Sequence, residues 1–151
     1  MKAVIQRVSR ESVKVDNDTV GKIEQGFLVL LGVAEGDTAA QAELLAGKVA
    51  NLRVFCDEND KMNLSLLDIG GGALVISNFT LCADTKKGNR PSFINAMAPD
   101  GANRLYEFFC DKLSEKGVKE VQKGIFGADM KVELLNDGPV TLILDTDIWR
   151  K

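Results

Sequence analysis

Ser77-Asn78-Phe79-Thr80-Leu81 directly follows the apolar run Ala73-Leu74-Val75-Ile76, which places two hydroxyls and several main-chain N–H groups at the end of a buried strand. Amides can leave a sheet there and point into a cleft. Fixed donors near Phe79 and Thr80 can stabilise an oxyanion during acyl transfer without any titratable side chain. The Ser77 or Thr80 hydroxyl is the other possible source of chemistry, as a nucleophile; the plain alternative is that both satisfy local backbone. Thr80 is not N-terminal, and the chain has no histidine to activate it. That absence also removes Ser-His-Asp and Cys-His nucleophiles and the commonest zinc ligand.

The second candidate is Asn136-Asp137-Gly138-Pro139-Val140-Thr141. Proline lacks an N–H and has a fixed φ, and glycine tolerates angles that other residues avoid. Gly138-Pro139 can therefore present bare carbonyl oxygens on a stiff segment, able to receive an ammonium group. Equally, the pair can be a hairpin turn between strands at Lys131–Leu135 and Val140–Asp145.

Phe126 and Met130 lie four apart around Gly127-Ala128-Asp129 and, with Phe79, are either core filler or a stacking surface for a base. Lys86, Lys87 and Arg90 gather positive charge in one loop of a chain whose net charge is −3, a solvated run or a set of phosphate contacts. The three cysteines, Cys56, Cys82 and Cys110, are too widely spaced for a CxxC zinc site and are read as reduced; Cys82 has no histidine with which to form an ion pair. Asp145 and Asp147 have nothing to complete a cation site, so no metal is expected. Gly70-Gly71-Gly72 precedes a strand where a phosphate loop needs a helix, and is read as a turn.

The elements that must position these residues follow from hydrophobic periodicity. Val4–Ser9 and Ser12–Val15 read as two strands before a polar turn at Asp16-Asn17-Asp18, with Thr19–Glu24 continuing the meander. The unbroken apolarity of Phe27–Val33 marks a strand covered on both faces, the centre of the sheet. Thr38 with Gln41 has the form of a capping box for a first helix over residues 38 to 52, buried through Ala42, Leu45, Ala46, Val49 and Leu52. Arg53–Cys56 reads as a short strand. Asp100 caps a second helix whose inner face is Leu105, Phe108, Phe109 and Leu113, stopped by Gly117. Val118–Gly124 completes the strand candidates. Strands at both ends and two helices between them predict an α+β domain, with a mostly antiparallel or mixed, barrel-like sheet and two packed helices.

The 151 residues, 45% hydrophobic, fit a single domain over 1–151. No stretch approaches membrane-span length and no signal peptide is seen, so a cytoplasmic location without membrane association is expected.

Five blocks in order, Ala3–Val8, Ser77–Leu81, Lys87–Phe93, Phe126–Met130 and Asn136–Thr141, resemble those of the D-aminoacyl-tRNA deacylases along essentially the whole chain. The resemblance implies a cofactor-free homodimer, with its active site at the subunit interface, that hydrolyses the ester between a D-amino acid and the 3′-terminal adenosine of tRNA. Glycine mischarged on tRNA-Ala would be a further substrate. It implies a cis Gly138-Pro139 peptide whose carbonyls receive the substrate's α-amino group in the partner's pocket, a loop supported by Arg7. By the same resemblance the amides of Phe79 and Thr80 hold the ester carbonyl beside Ser77 and Asn78, and Phe79, Phe126 and Met130 line the adenosine pocket. Either the 2′-hydroxyl of the terminal ribose or the Thr80 hydroxyl would drive the reaction. Asn78 departs from the glutamine common in the family, one methylene shorter. A non-catalytic dimeric tRNA-binding module is the alternative.

Overall fold

The structure, a computed structural model, describes residues 1–149. Its first strand, β1 (Lys2–Val15), is one continuous element where the sequence suggested two. Arg10 and Glu11 stay paired across to Leu135 and Leu134, so the chain does not turn there. It reverses at Asp16 and Asn17, whose positive φ values of 50° and 71° suit a tight hairpin. β2 (Asp18–Ile23) returns antiparallel along the second half of β1, and β3 (Gly26–Gly32) runs antiparallel along its first half.

Helix α1 (Ala39–Asn51) starts where the capping pattern predicts, with Gln41 Oε1 accepting the Thr38 N–H at 2.8 Å, and buries Ala42, Leu45, Ala46 and Val49. Strands β4 (Phe55–Cys56) and β5 (Met62–Leu64) form a small hairpin. One helical turn, α2 (Leu66–Ile69), was not expected from the sequence, since four residues cannot show a period. Ser65 Oγ accepts the Asp68 N–H at 3.1 Å, Asp68 returns the bond to the Ser65 N–H at 2.8 Å, and Gly70 ends the turn at a φ of 64°. The two packed helices of the sequence reading are therefore three.

β6 (Gly72–Ser77) is parallel to β3, and the two meet so closely at Gly26 and Gly72 that a Cβ on Gly26 would lie 1.9 Å from the Gly72 oxygen. Helix α3 (Pro99–Glu115) places Pro99 in its first turn with Ala98 as N-cap. Asp100 thus sits one residue inside the helix and does not cap it. Its buried face is Ala102, Tyr106, Phe109, Cys110 and Leu113; Leu105 and Phe108 are only partly buried, so the stripe is rotated from the expected one. Tyr106 explains the rotation, because its hydroxyl reaches inward to donate to the Val75 oxygen at 2.7 Å. β7 (Glu120–Lys123) adds parallel to β6, and β8 (Lys131–Asp145) pairs antiparallel along the free edge of β1.

The strand order is β2-β1-β3-β6-β7, with β8 on β1, and β2 curls against β7 to close most of a barrel. Inside the curl Val8, Val13, Ile23, Leu28, Leu74 and Ile76 form one core. A larger core lies between the sheet and α1 with α3. β3 stands between the two cores, with Phe27, Leu28, Val29 and Leu31 all at 2% exposure or less, as its unbroken apolarity requires.

Candidate active site

β3, β6 and β7 run parallel, and their carboxyl ends open together, the usual position of a ligand crevice in such sheets. At the end of β6 the Asn78 N–H still bonds the Leu31 oxygen at 2.8 Å, after which the chain winds into a 3₁₀ turn, Phe79–Cys82. The first hydrogen bond of that turn runs from the Leu81 N–H to the Asn78 oxygen at 3.2 Å. The N–H groups of Phe79 and Thr80 come before it, in the positions that a helical turn cannot satisfy internally.

Two cavities open beside this turn and share Ser77, Phe79, Phe126 and Gly127 as a common wall. The larger, about 520 Å³, is closed by Val33, Phe93, Met97 and Ala102. The smaller, about 340 Å³, continues over Asn78, Met130 and the apolar residues Leu30, Ile76 and Val132. The outer wall is held in place by the Met97 N–H donating to the Val33 oxygen at 3.0 Å, and the Glu35 N–H to the Asn95 oxygen at 2.9 Å. Phe79 is 57% exposed and meets Phe93 edge-on, with ring centroids 5.1 Å apart. Phe126 is backed by Tyr106, centroids 6.1 Å apart. A larger, shallow groove of about 730 Å³ along α1, lined by Glu43, Lys48, Arg53 and Lys116 among others, contains none of the candidate residues.

The fold therefore brings Ser77, Asn78, Phe79, Phe126 and Met130 to one place. Thr80 is next to them in the turn, and its hydroxyl donates to Asn78 Oδ1. Of the residues lining the two cavities only Asp129 is titratable, and Lys131 holds it in an ion pair at 3.2 Å. Cys82 closes the turn on its buried side, where desolvation pushes its thiol above the ordinary value. Among the described residues no three His, Cys, Asp or Glu side chains gather as a metal site would require. What this crevice offers a substrate is main chain, hydroxyls and aromatic faces.

Gly138-Pro139 is not a hairpin turn. Both flanking runs belong to β8 and both pair with β1, so the chain does not reverse. Gln6 faces Thr141 and Val8 faces Asn136, which leaves Asp137–Val140 bulging outward opposite Arg7 alone. The Gly138-Pro139 peptide is cis, and both residues are exposed. Arg7, 9% exposed, donates from Nε to the Asp137 oxygen at 2.8 Å and from Nη1 to the Val54 oxygen at 2.6 Å. The Asn136 side chain closes the bulge like a rung of sheet: its Oδ1 accepts the Val140 N–H at 2.9 Å and its Nδ2 donates to the Val140 oxygen at 3.2 Å. Arg7, Gly138 and Pro139 line neither cavity of their own chain. The candidate residues thus fall into two groups.

Sequence reasoning gave Asn136 and Phe93 no role beyond the stretches that contain them and did not single out Tyr106. An amide side chain four residues before the nitrogen it binds was a usable signal for Asn136; the other two are aromatic residues whose partners, Phe79 for Phe93 and Val75 and Phe126 for Tyr106, lie in other elements.

Sheet, crevice and bulge together define a class: a small α+β protein with a mixed, nearly closed sheet and a largely apolar cleft with aromatic walls beside a 3₁₀ turn. Sequence comparison supplies the family. The profile described as D-Tyr-tRNA(Tyr) deacylase matches residues 4–145, and the chain belongs to that family. It is 58% identical over 146 residues to the D-aminoacyl-tRNA deacylase of Geotalea daltonii, spanning 97% of both chains, and 56% identical over 146 residues to that of Clostridioides difficile, again with 97% of both. Among solved structures, the c-Myc DNA Unwinding Element Binding Protein superposes with a TM-score of 0.91 at 41% identity, covering 96% of this chain and 98% of that one. A probable eukaryotic D-amino acid tRNA deacylase superposes with a TM-score of 0.79 at 17% identity over 95% of this chain and 97% of its own, a likeness of fold alone.

Proposed function

We propose that this chain hydrolyses the ester between a D-amino acid and the 3′-terminal adenosine of tRNA, acting in the cytoplasm without a cofactor, as a single domain that works in pairs. The observation that carries the reading is the aromatic-walled cavity opening beside the unsatisfied amide positions of Phe79 and Thr80. The adenine lies against Phe79 and Phe126, with Met130 on the neighbouring surface. The ester carbonyl turns toward the Phe79 and Thr80 amides, which stabilise the oxyanion as water attacks and the ribose oxygen leaves. Ser77 and Asn78 border the reacting groups. With Asp129 already paired to Lys131, the vicinal 2′-hydroxyl of the ribose supplies assistance that no side chain here is placed to give.

Chirality is tested by the second copy. In a homodimer the Gly138 and Pro139 carbonyls of one chain enter the cleft of the other and receive the α-ammonium, while Arg7 and Asn136 hold them rigid. With carbonyl and ammonium both fixed, inverting the α-carbon drives the side chain into main chain, so an L-residue is refused by collision; glycine escapes the test and is hydrolysed too. Pairing is supported by β8, an edge strand carrying Leu135 at 51% and Ile143 at 76% exposure, an apolar border that isolated proteins usually protect. No helix among the described residues is long and apolar enough to cross a membrane.

The test is a paired assay on D-tyrosyl-tRNA and L-tyrosyl-tRNA. Release of the D-amino acid alone is expected; equal rates on both would overturn the reading. The likeness to a protein named for binding a DNA element favours one rival, a dimeric nucleic-acid-binding module without catalysis. Tight tRNA binding with no turnover would establish it.

A further inference from the structure

We infer that the hairpin loop between Asp84 and Ser92 grips the phosphates of the tRNA strand leading into the cleft, through Lys86, Lys87 and Arg90. The inference rests on the deacylase reading above and extends it from the terminal nucleoside to the strand behind it.

The loop is built as a protruding arm. Asp84 and Ser92 exchange both main-chain hydrogen bonds, at 2.8 and 2.9 Å, and pin its base; Asp84 Oδ1 accepts the Lys86 N–H at 3.0 Å, and Gly88 turns the tip at a φ of 61°. Every residue from Thr85 to Pro91 is exposed. Among the described residues, Lys86, Lys87 and Arg90 form no ion pair, a state they share with Lys14, Lys22 and Lys61 among others; what sets them apart is that all three fall between positions 86 and 90 of one exposed loop. Lys87 and Arg90, with Lys86 beside them, gather positive charge on one loop of a chain whose net charge is −3.

The arm is tied to the cleft. Phe93 follows its closing pair immediately and packs edge-on against Phe79, so the base of the arm forms part of the cavity wall. Three residues out and three back set an upper bound of about 10 Å on its reach beyond that base, room for about two successive phosphates of a single strand. The other side of the arm is less suited to an anion, because Lys86 and Lys2 there share a hollow with the carboxylates of Glu35, Asp84 and Asp147. The phosphates therefore run along the tip. Such contacts carry no sequence information, as an enzyme acting on many tRNAs requires.

The test compares the wild type with a Lys86→Ala/Lys87→Ala/Arg90→Ala variant in two assays. For uncharged tRNA, the variant should bind at least tenfold more weakly at low salt, and the slope of log affinity against log salt should be shallower by about 2. A Lys86→Arg/Lys87→Arg variant should keep the wild-type slope. In the second assay the variant should lose kcat/KM on D-tyrosyl-tRNA but keep it within about twofold on D-tyrosyl-adenosine, which has no phosphate. An unchanged slope, or equal losses on both esters, would overturn the inference. If the wild type hydrolyses neither ester, the deacylase reading fails while the binding assay still decides the role of the loop.

Discussion

Arg7 Nε lies 2.8 Å from the main-chain oxygen of Asp137, and the same guanidinium reaches the Val54 oxygen at 2.6 Å, so one buried side chain joins the Gly138-Pro139 bulge to the segment after α1. Only a fork can make both bonds. Arg7→Lys keeps the charge but not the two directed donors, and should lower stability by about 1–3 kcal/mol in urea denaturation. It should also blur discrimination between D- and L-tyrosyl-tRNA, because the bulge it holds is the proposed chiral test. A variant as selective as the wild type would separate Arg7 from that role.

The Thr80 hydroxyl is engaged as a donor to Asn78 Oδ1, and Asp129, the titratable residue lining the cavities beside it, is paired to Lys131 at 3.2 Å. Thr80→Ala should therefore retain activity within about tenfold, a loss of at most about 1.4 kcal/mol in transition-state stabilisation. D-tyrosyl-tRNA ending in 2′-deoxyadenosine should be cleaved far more slowly than the ribose form. The opposite pair of results in single-turnover assays would make Thr80 the nucleophile.

Cys82 is 4% exposed, and desolvation pushes its thiol pKa upward, away from the reactive thiolate. Cys82→Ala should preserve the deacylation rate, and alkylating reagents should label exposed Cys56 first in the folded protein. Loss of activity in a folded Cys82→Ala protein would restore a thiol mechanism.

Glu11 stands opposite Ile23 and Leu134 in the sheet, 2% exposed, with neither carboxyl oxygen hydrogen-bonded among the described residues. Burial pushes its pKa from 4.5 up to about 9. The folded chain keeps this proton while the unfolded chain releases it. The stability linked to it is whole below about 4.5 and is lost as pH rises through about 9. Glu11→Leu should flatten that decline and stabilise the protein at neutral pH by about 1–3 kcal/mol, as relief of an unsatisfied buried group predicts. Parallel stability–pH curves for wild type and variant would refute the assignment.

Local chemistry alone determined much of this protein. Hydrophobic periodicity placed α1, its Thr38–Gln41 start and the doubly covered β3, because each reflects contacts within a few residues or burial on every side. The lack of histidine removed imidazole-based nucleophiles and imidazole metal ligands before any geometry was known. Where the outcome depended on distant partners, the sequence was silent or misleading. Tyr106 turned the buried stripe of α3 because the Val75 oxygen is within its reach, a partner 31 positions away. Gly138-Pro139 has the composition of a turn, and only pairing with β1, 130 residues earlier at Arg7, made it a bulge inside one strand. Only the tertiary structure gathered Ser77, Phe79, Phe126 and Met130 around one crevice while leaving Gly138 and Pro139 outside it. Register across a sheet is set by the strands that are paired, and no local stretch of chain contains that information.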